Sequence, residues 1–488
     1  MNIKMVLKTL GNILIFEGII LILPILVSII YQENREIYFL WTMLISIGIG
    51  YLLSNIKVKN KHIYAKEGFI IVAISWFVVS IIAALPFYFS GEIPYFIDAL
   101  FEAVSGFTTT GGTILSDIES LSNTMLFWRG LTHWIGGMGV LVFMLAFLPK
   151  SEGQNMFLMK AEVPGPVVGK LVSKVKMTAR ILYAIYAAMT LVEIIFLLIG
   201  GMPFLDSLLH AFSTAGTGGL SPKNASIGHY DSYYIDMVVT VFMFLFGVNF
   251  NLYYLIALRD FKSAFKSEEL KWYTAIVLVF IAIISINTLG VYGNIVDSFR
   301  YSSFQVVSII TTTGFATADY NMWPSLSQAL IFLLMIVGSC AGSTAGGMKV
   351  SRVIILIKSA IASIKSTSIP RRVNTIKFEG KYVDKQLLDC IHSYLVVYVI
   401  ILFISIILIS FENLDLVTTI TAPLASIGNV GPGFGDIIGP VGNFSSLSGL
   451  SKLVLCFDML AGRLELFPVI MLFYSFKDFF NIKKNINL

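Results

Sequence analysis

Residues 108–112 read TTTGG, and similar runs rich in threonine and glycine recur three times along the chain. The later runs are STAGTGG at 213–219, TTTGF at 311–315 and SIGNVGPG at 426–433. When the runs are aligned on their glycines, successive copies lie about 95–117 residues apart. This regular recurrence indicates that a whole structural unit is repeated, rather than a short motif.

A short apolar segment precedes each of these runs. The four segments span residues 95–107, 204–212, 295–309 and 414–425. Each is shorter than the roughly 20 residues that a helix needs to cross a bilayer, so we predict re-entrant elements. Non-helical backbone is tolerated at membrane depth only where it lines a water-filled cavity or is buried in protein. The runs are therefore predicted to line such a cavity.

Threonine and glycine supply what an ion pathway needs, namely small side chains and carbonyls that can turn toward an axis. Four such loops can replace the hydration shell of a potassium ion, and the negative ends of the short helices would favour a cation. One such run alone fits an exposed turn equally well, but four runs in phase favour a shared site. The predicted potassium ligands are Thr109, Thr110, Gly111, Thr217, Gly218, Gly219, Thr312, Thr313, Gly314, Asn429, Val430 and Gly431.

The composition places most of the chain in lipid. The 488 residues are 56% hydrophobic and 13% charged, with a mean hydropathy of +0.83, whereas soluble domains run about 45–50% apolar and about 25% charged. Soluble enzymes and secreted disulfide scaffolds are excluded, and the three cysteines all lie in apolar runs. A net charge of +5 is too small to indicate a nucleic-acid partner. Membrane lipid is the expected surrounding.

Ten apolar runs are long enough to be transmembrane helices. They lie near residues 8–31, 37–55, 67–90, 122–148, 178–201, 232–258, 271–292, 324–357, 388–411 and 446–475. With both termini in the cytoplasm, the segments on the inner side carry 28 of the 34 lysine and arginine residues. That bias matches the positive-inside rule and predicts a multi-pass protein of the plasma (inner) membrane.

A run of small residues, GSCAGSTAGG at 338–347, interrupts the eighth apolar run. Its glycines fit either close helix packing or a break in the helix that forms a loop below the filter. Arg463 lies near the middle of the tenth run, where an arginine is costly unless it is paired or hydrated. Asp458, Glu465 or carbonyls of the small-residue run could pair with it, and a purely structural salt bridge is the alternative. The predicted gating residues are Gly338, Gly342, Ser343, Thr344, Gly346, Gly347, Lys349 and Arg463.

Four motifs carry a resemblance to a known family: HWIGGMG at 133–139, CAGSTAGGMK at 340–349, GNVGPG at 428–433 and GRLE at 462–465. Together with the four loops, they resemble the Trk/Ktr/HKT superfamily of potassium transport proteins over nearly the whole chain. The two extra N-terminal helices are similar to the TrkH branch.

The resemblance implies a homodimer with one pore per subunit and a glycine in each filter loop. It also implies that residues 338–347 form an intramembrane gating loop, held partly by Arg463, under the control of a cytosolic TrkA-like nucleotide-binding subunit. Sodium-selective relatives carry serine where this chain has Gly111, which favours potassium. In the second loop, either Gly218 or Gly219 could be the filter glycine.

The predicted fold class is an all-α integral membrane protein with about ten transmembrane helices. Four pseudo-symmetric helix–pore loop–helix repeats would surround one pore, after two extra N-terminal helices. The predicted units are residues 1–62, 63–150 (first repeat), 151–262 (second), 263–365 (third, with the gating loop) and 366–488 (fourth). Potassium is the transported ion, and no organic cofactor is expected on this chain.

The expected function is potassium uptake, without enzymatic activity. A sodium- or proton-coupled symporter is an alternative, for which Glu193 and His210 are the candidate coupling groups, and a polytopic membrane enzyme is a remote one. Basic inner stretches could dock a cytosolic regulator or merely set the topology and contact lipid headgroups. These stretches are Lys150–Arg180 and the segment that contains Lys365, Arg371, Arg372, Lys377, Lys381 and Lys385.

Overall fold

The structure is a computed structural model that describes residues 2–58, 65–139, 175–368, 375–466 and 468–471. Its regular structure is helical apart from two short 3-10 turns, one two-residue hairpin and one isolated bridge, which confirms the all-α fold class. The helices of the first half are α1 (Ile3–Ile20), α2 (Ile22–Tyr31), α3 (Glu36–Ser54), α4 (Ala65–Phe89), α5 (Phe96–Phe107), α6 (Asn123–Gly137), α7 (Val175–Ile199), α8 (Phe204–Gly216), α9 (Tyr233–Phe246) and α10 (Phe250–Ala257). The later elements are α11 (Phe261–Lys266), α12 (Glu268–Asn287), α13 (Leu289–Tyr292), α14 (Ile295–Ile310), α15 (Ser325–Ile336), α16 (Val350–Ser368), β1 (Lys377–Phe378), β2 (Lys381–Tyr382), α17 (Lys385–Ser410), α18 (Leu416–Ile427) and α19 (Gly449–Arg463).

Six helical stretches among the described residues are long and apolar enough to cross a membrane. They are α1 with α2, α3, α4, α7, α12 and α17. The fourth and tenth predicted runs contain the 15-residue helices α6 and α19. Most of the rest of the fourth run lies outside the described residues, and residues 464–466 of the tenth run are non-helical. The many exposed leucine, isoleucine and phenylalanine side chains on the long helices match a lipid environment.

Glycines set the packing of the N-terminal helices. A Cβ atom added to Gly11 of α1 would lie 2.5 Å from the backbone nitrogen of Ser54, and one on Gly50 of α3 would lie 2.8 Å from the carbonyl oxygen of Gly11. Small residues at a helix crossing let the two backbones approach closely, which is a common basis of helix association in membranes. The helices α1 and α3 therefore form one tightly packed pair.

The four short re-entrant helices predicted from the sequence are present as α5, α8, α14 and α18. The side chains of Asn294 and Asp415 accept hydrogen bonds from the first turns of α14 and α18 and so cap their N-termini. The helix α8 extends four residues beyond the predicted end of its apolar segment, through residues 213–216. The predicted polar run at 213–219 is therefore partly helical.

The sixth apolar run is not one continuous helix. The helices α9 and α10 meet at an angle of 92°, with a break at residues 247–249. The side chain of Asn249 caps α10 by accepting a hydrogen bond from the Asn251 N–H at 2.9 Å. At the same break, the backbone N–H of Cys340 donates to the carbonyl of Gly247 at 3.1 Å. The helix bends because a distant segment bonds to the backbone groups that the break leaves free.

The eighth apolar run is divided into two helices. The helix α15 ends at Ile336, α16 begins at Val350, and residues 337–349 between them are non-helical. The Gly338 N–H donates to the carbonyl of Met348 at 2.8 Å, which brings the two ends of this segment together. Residues 337–349, hereafter the crossing segment, thus form a compact non-helical loop between α15 and α16.

Candidate functional site

The four threonine- and glycine-rich loops share one backbone conformation. The first residue of each aligned triplet has a φ of 52–55° (Thr109, Thr217, Thr312 and Asn429). Non-glycine residues rarely adopt this left-handed region, and holding one there costs about 1–3 kcal/mol. The third residue of each triplet is a glycine with a φ of 75–94° (Gly111, Gly219, Gly314 and Gly431). The same unusual backbone conformation therefore occurs in all four loops.

One hydrogen bond turns each loop away from its short helix. The middle residue of each triplet donates its N–H to a carbonyl five residues earlier, at 2.8–3.0 Å. The four bonds are Thr110 to Ser105, Gly218 to Ser213, Thr313 to Ser308, and Val430 to Ala425. Because this bond places Gly218 in register with Thr110, Gly219 is the structural counterpart of Gly111. The structure thus distinguishes the two glycines that the sequence left open.

The four loops close a ring. A Cβ atom added to Gly111 would lie 2.0 Å from the Gly218 oxygen, and one on Gly219 would lie 2.0 Å from the Thr313 oxygen. One on Gly314 would lie 2.2 Å from the Val430 oxygen, and one on Gly431 would lie 2.6 Å from the Thr110 oxygen. Each loop therefore packs its glycine against a carbonyl of the next loop, and the fourth loop returns to the first. A side chain at these glycines would displace a backbone carbonyl.

A cavity of about 130 Å³ lies on this ring. All four ring glycines line it, and its other walls are the segments that lead from the loops toward the following helices. The short helices α5, α8, α14 and α18 end where the loops begin, so four helix C-termini meet at the ring. The partial negative charge at these ends favours a cation. The arrangement can hold a cation between carbonyl oxygens without any carboxylate ligand.

Buried ion pairs fix the short helices around the ring. Arg129 of α6 donates to Glu102 of α5 at 2.6 Å, and both side chains are at most 2% exposed. A second nitrogen of Arg129 donates to the Ser221 carbonyl at 3.1 Å, just after the second loop. Arg300 of α14 pairs with Asp236 of α9 at 2.7 Å. The Arg129–Ser221 bond and the Arg300–Asp236 pair connect parts of the chain that belong to neighbouring loops. The Arg129–Glu102 pair holds α6 against α5, the short helix of the first loop.

A further ion pair links the part of the chain after the fourth loop to the part before the first loop. Lys452 of α19 pairs with Asp98 of α5 at 2.7 Å, so an ion pair joins the helix after the fourth loop to the short helix before the first loop. The basic residues Arg35 and Lys223 pair with Glu92 and Asp206 at 3.0 and 3.7 Å. Arg35, Arg129, Lys223, Arg300 and Lys452 thus each have a carboxylate partner.

The crossing segment contacts the starts of the third and fourth loops. The Gly346 N–H donates to the Thr312 hydroxyl at 2.7 Å. A Cβ atom added to Gly346 would lie 2.7 Å from the Cβ atom of Asn429, so only a glycine fits there without displacing the loop. The crossing segment does not line the cavity at the ring glycines. The ring therefore lies between that cavity and the crossing segment.

Arg463 donates to backbone carbonyls. Its guanidinium contacts the Thr344 oxygen at 2.7 Å and the oxygens of Gly136 and Gly137 at 2.5 and 2.6 Å. Of the partners predicted for Arg463, the carbonyls of the small-residue run are the ones observed. The two candidate carboxylates contact other groups, because Asp458 accepts from Ser405 and Glu465 pairs with Arg352.

The remaining predicted gating residues lie in or beside the crossing segment. Lys349 donates to the carbonyls of Ala345 and Gly346 and is almost completely buried. Gly342 and Gly347 have φ values of 70° and 65°, which explains glycine at both positions. The Ser343 hydroxyl donates to the Cys340 carbonyl at 2.7 Å, and a Cβ atom on Gly338 would lie 2.4 Å from the Gly346 oxygen.

Glu269 is a functional candidate that the sequence did not indicate. It lies in the first turn of α12, and one of its oxygens accepts from the backbone N–H groups of Ala341 and Ser351 at 2.8 and 3.0 Å. A single carboxylate thus contacts both the crossing segment and the start of α16. The N–H of Glu269 in turn donates to Glu379, in the turn between β1 and β2, at 3.0 Å. No local pattern predicts these contacts, since the partners are distant in sequence.

Comparison with known proteins identifies the family of the chain. The sequence model of the TrkH family, described as a cation transport protein, matches residues 36–481. The chain belongs to the TrkH family. The resemblance drawn from the sequence motifs is therefore confirmed.

Several TrkH-family relatives align with almost the entire chain. It is 32% identical over 480 residues to the Trk system potassium uptake protein TrkH of Salmonella typhimurium, which covers 97% of this chain and 99% of the relative. Identity to TrkH of Escherichia coli K12 is 33% over 480 residues, with the same coverage. The TrkG potassium uptake protein of the same strain is 33% identical over 459 residues, covering 93% of this chain and 94% of that relative.

A solved structure of a TrkH-family protein has the same fold. The crystal structure of the potassium transporter TrkH from Vibrio parahaemolyticus superposes with a TM-score of 0.86 at 28% sequence identity. The alignment covers 97% of this chain and 98% of the transporter. This TrkH-family chain is therefore a membrane transport protein and not an enzyme.

Proposed function

We propose that the chain conducts potassium into the cell through the ring formed by its four loops. The observation that carries the proposal is the closed set of glycine-to-carbonyl contacts between successive loops. Backbone carbonyls that converge on one axis can replace the water shell of a potassium ion. The membrane potential supplies about 2.3 kcal/mol per charge per 100 mV, so inward conduction needs no chemical step on this chain.

The twelve predicted filter residues are the proposed ligand-bearing backbone. Their shared φ pattern supports a four-fold site, and the 1–3 kcal/mol cost of each left-handed non-glycine residue is typical of functional backbone. Gly219 takes the role of the second filter glycine, and Gly218 supplies the carbonyl against which Gly111 packs. Carbonyl spacing in such a ring would separate potassium from sodium.

The crossing segment is the proposed gate. It lies against Thr312 and Asn429, directly beside the ring, and Arg463 and Lys349 donate to three of its carbonyls. These two cations would repel an incoming potassium ion and keep the segment in the path. Opening requires the carbonyls to exchange partners, and a glycine-rich backbone allows this at small cost.

Regulation and assembly complete the proposal. The chain would act as a homodimer in the plasma membrane, with one pore per subunit and both termini in the cytoplasm. A cytosolic TrkA-like nucleotide-binding subunit would dock on the basic inner stretches, because this chain carries no phosphate-binding glycine motif of its own. Residues 150–174, Arg371 and Arg372 lie outside the described residues. The five-unit division of the chain belongs to the same proposal.

Coupled symport has less support from the geometry. His210, one of the two candidate coupling groups, has both ring nitrogens engaged, with the Asp206 carbonyl at 2.8 Å and the Ser221 hydroxyl at 3.0 Å. This fully buried histidine joins α8 to the segment after the second loop and so has a structural role. Glu193 is also fully buried, in the C-terminal third of α7.

Flux into liposomes tests the proposed function. Purified protein should take up rubidium when a negative internal potential is imposed, external potassium should compete, and sodium should compete weakly. Uptake should follow the imposed potential with no proton or sodium gradient present. Equal competition by sodium would overturn the selective ring, and uptake that requires a proton or sodium gradient would establish the symporter.

A further inference from the structure

The second loop differs from the other three at the middle of its triplet. Thr110, Thr313 and Val430 carry side chains at that position, whereas the second loop has Gly218. A Cβ atom added to Gly218 would lie 2.0 Å from Cδ2 and 2.3 Å from Nε2 of His133. The imidazole of His133 therefore occupies the space that a side chain of the second loop would fill.

His133 holds this loop from two directions. It is fully buried in α6, and its own carbonyl oxygen would lie 2.5 Å from a Cβ atom on Gly216. One turn further along α6, a Cβ atom on Gly137 would lie 2.6 Å from the Gly216 Cα atom. The backbone of residues 216–218 is thus pressed against one face of α6, with the imidazole beside its last residue.

We propose that His133 is a positioning residue for ion selectivity, because its imidazole sets the orientation of the Gly218 carbonyl. The inference rests on the proposed filter. Glycine has the widest conformational freedom of any residue, so an unsupported Gly218 would let its carbonyl rotate. The Gly218 carbonyl is the one that Gly111 packs against, so its rotation would disturb the first loop as well. A ligand site requires supporting groups that hold its atoms within about 0.5 Å.

Three variants test whether the contact is direct. His133→Ala opens the space and should lower the potassium-to-sodium selectivity ratio several-fold. Gly218→Ala introduces a methyl group into the imidazole and should reduce potassium uptake by at least tenfold. In the double variant, the alanine methyl group enters the space that the imidazole vacated, so uptake should recover to well above that of Gly218→Ala. Such recovery is the non-additivity expected of residues in contact.

Two further variants serve as a control and as a conservative replacement. His392→Ala, at a distant and exposed histidine of α17, should keep the wild-type ratio. His133→Asn, which retains part of the bulk, should give an intermediate ratio and replaces His133→Ala if that protein does not fold. An unchanged ratio in His133→Ala or His133→Asn overturns the inference, as does a double variant no better than Gly218→Ala. If Gly111→Ser also leaves the ratio unchanged, the proposed filter itself fails.

Discussion

At the scale of single residues, the ring glycines combine two constraints that a side chain cannot meet together. Each has a positive φ, and each faces a carbonyl oxygen of the neighbouring loop. The first constraint disfavours other residues through local sterics, whereas the second acts between loops. A substitution can be chosen to separate these two effects.

Gly111→Ser should lower the potassium-to-sodium selectivity ratio at least several-fold. Its Cβ atom would lie 2.0 Å from the Gly218 oxygen, so the two loops must move apart. Gly91→Ser is the matched control, since Gly91 has a φ of 74° but no atom within 4 Å of an added Cβ. Reversal potentials or competitive rubidium uptake measure the ratio. A wild-type ratio in Gly111→Ser would remove the first loop from the filter.

Arg463→Ala should raise basal potassium flux in the absence of any regulator. The substitution removes a positive charge and three hydrogen bonds, one of them to the crossing segment at Thr344. The control is Arg35→Ala, which removes a partly exposed arginine paired with Glu92 on another part of the molecule. Rubidium uptake at matched protein levels provides the measurement. Basal flux that falls in Arg463→Ala at unchanged protein level would contradict the gate.

At the scale of structural elements, the crossing segment depends on contacts with elements far away in the sequence. At the bend between α9 and α10, the Gly247 carbonyl accepts a hydrogen bond from the segment, and the first residue of α10 donates one to the Gly342 carbonyl of the segment. Glu269 of α12 accepts hydrogen bonds from the backbone of the segment and from the start of α16. The observed conformation of the crossing segment is therefore stabilised from several sides. Weakening one contact should loosen the segment while the surrounding helices stay in place.

Glu269→Gln should raise basal flux about two- to tenfold. A neutral amide accepts the N–H groups of Ala341 and Ser351 less strongly than a carboxylate, at a cost of roughly 1 kcal/mol. The adjacent Glu268→Gln weakens a partly exposed ion pair with Lys358, which is worth about 0–1 kcal/mol, and should leave basal flux near wild type. Equal flux in the two variants would show that Glu269 does not hold the segment.

The sequence predicts those elements whose signals are local. The four short helices and the break in the eighth run follow from segment length and glycine content. The end of α8 was misplaced because Ser213 and Thr214 are polar, yet their hydroxyls bond to the backbone carbonyls of Leu220 and His210 and are satisfied within the fold. The bend at residues 247–249 and the role of Glu269 depend on partners about 70–90 residues away. No local pattern encodes such contacts.

At the scale of the whole molecule, buried ion pairs connect the helices that surround the ring. Arg129 and Glu102 are the most buried of these pairs, and Arg129 also contacts the segment after the second loop. A buried charge that loses its partner costs about 3–5 kcal/mol, whereas replacing both partners with apolar residues can be nearly neutral. The pair therefore contributes most to stability by keeping each charge compensated.

Arg129→Met should lower the thermal unfolding midpoint in detergent by several degrees, because it leaves the Glu102 carboxylate buried and unpaired. The double variant Arg129→Met/Glu102→Met should recover much of that loss. Arg35→Met is the control, since its partly exposed pair with Glu92 should contribute little. A midpoint that falls further in the double variant than in the single one would show that the pair itself is strongly stabilising.

The closed ring also has a genetic consequence. In a tetrameric channel, one codon specifies the same filter position in all four subunits, so a mutation there changes the whole circle at once. Here a single gene encodes four different loops, and the middle residues of their triplets are Thr, Gly, Thr and Val. Each of the four loops can therefore accumulate substitutions independently, and if the ring is the filter, as proposed, selection can adjust its ion preference one loop at a time.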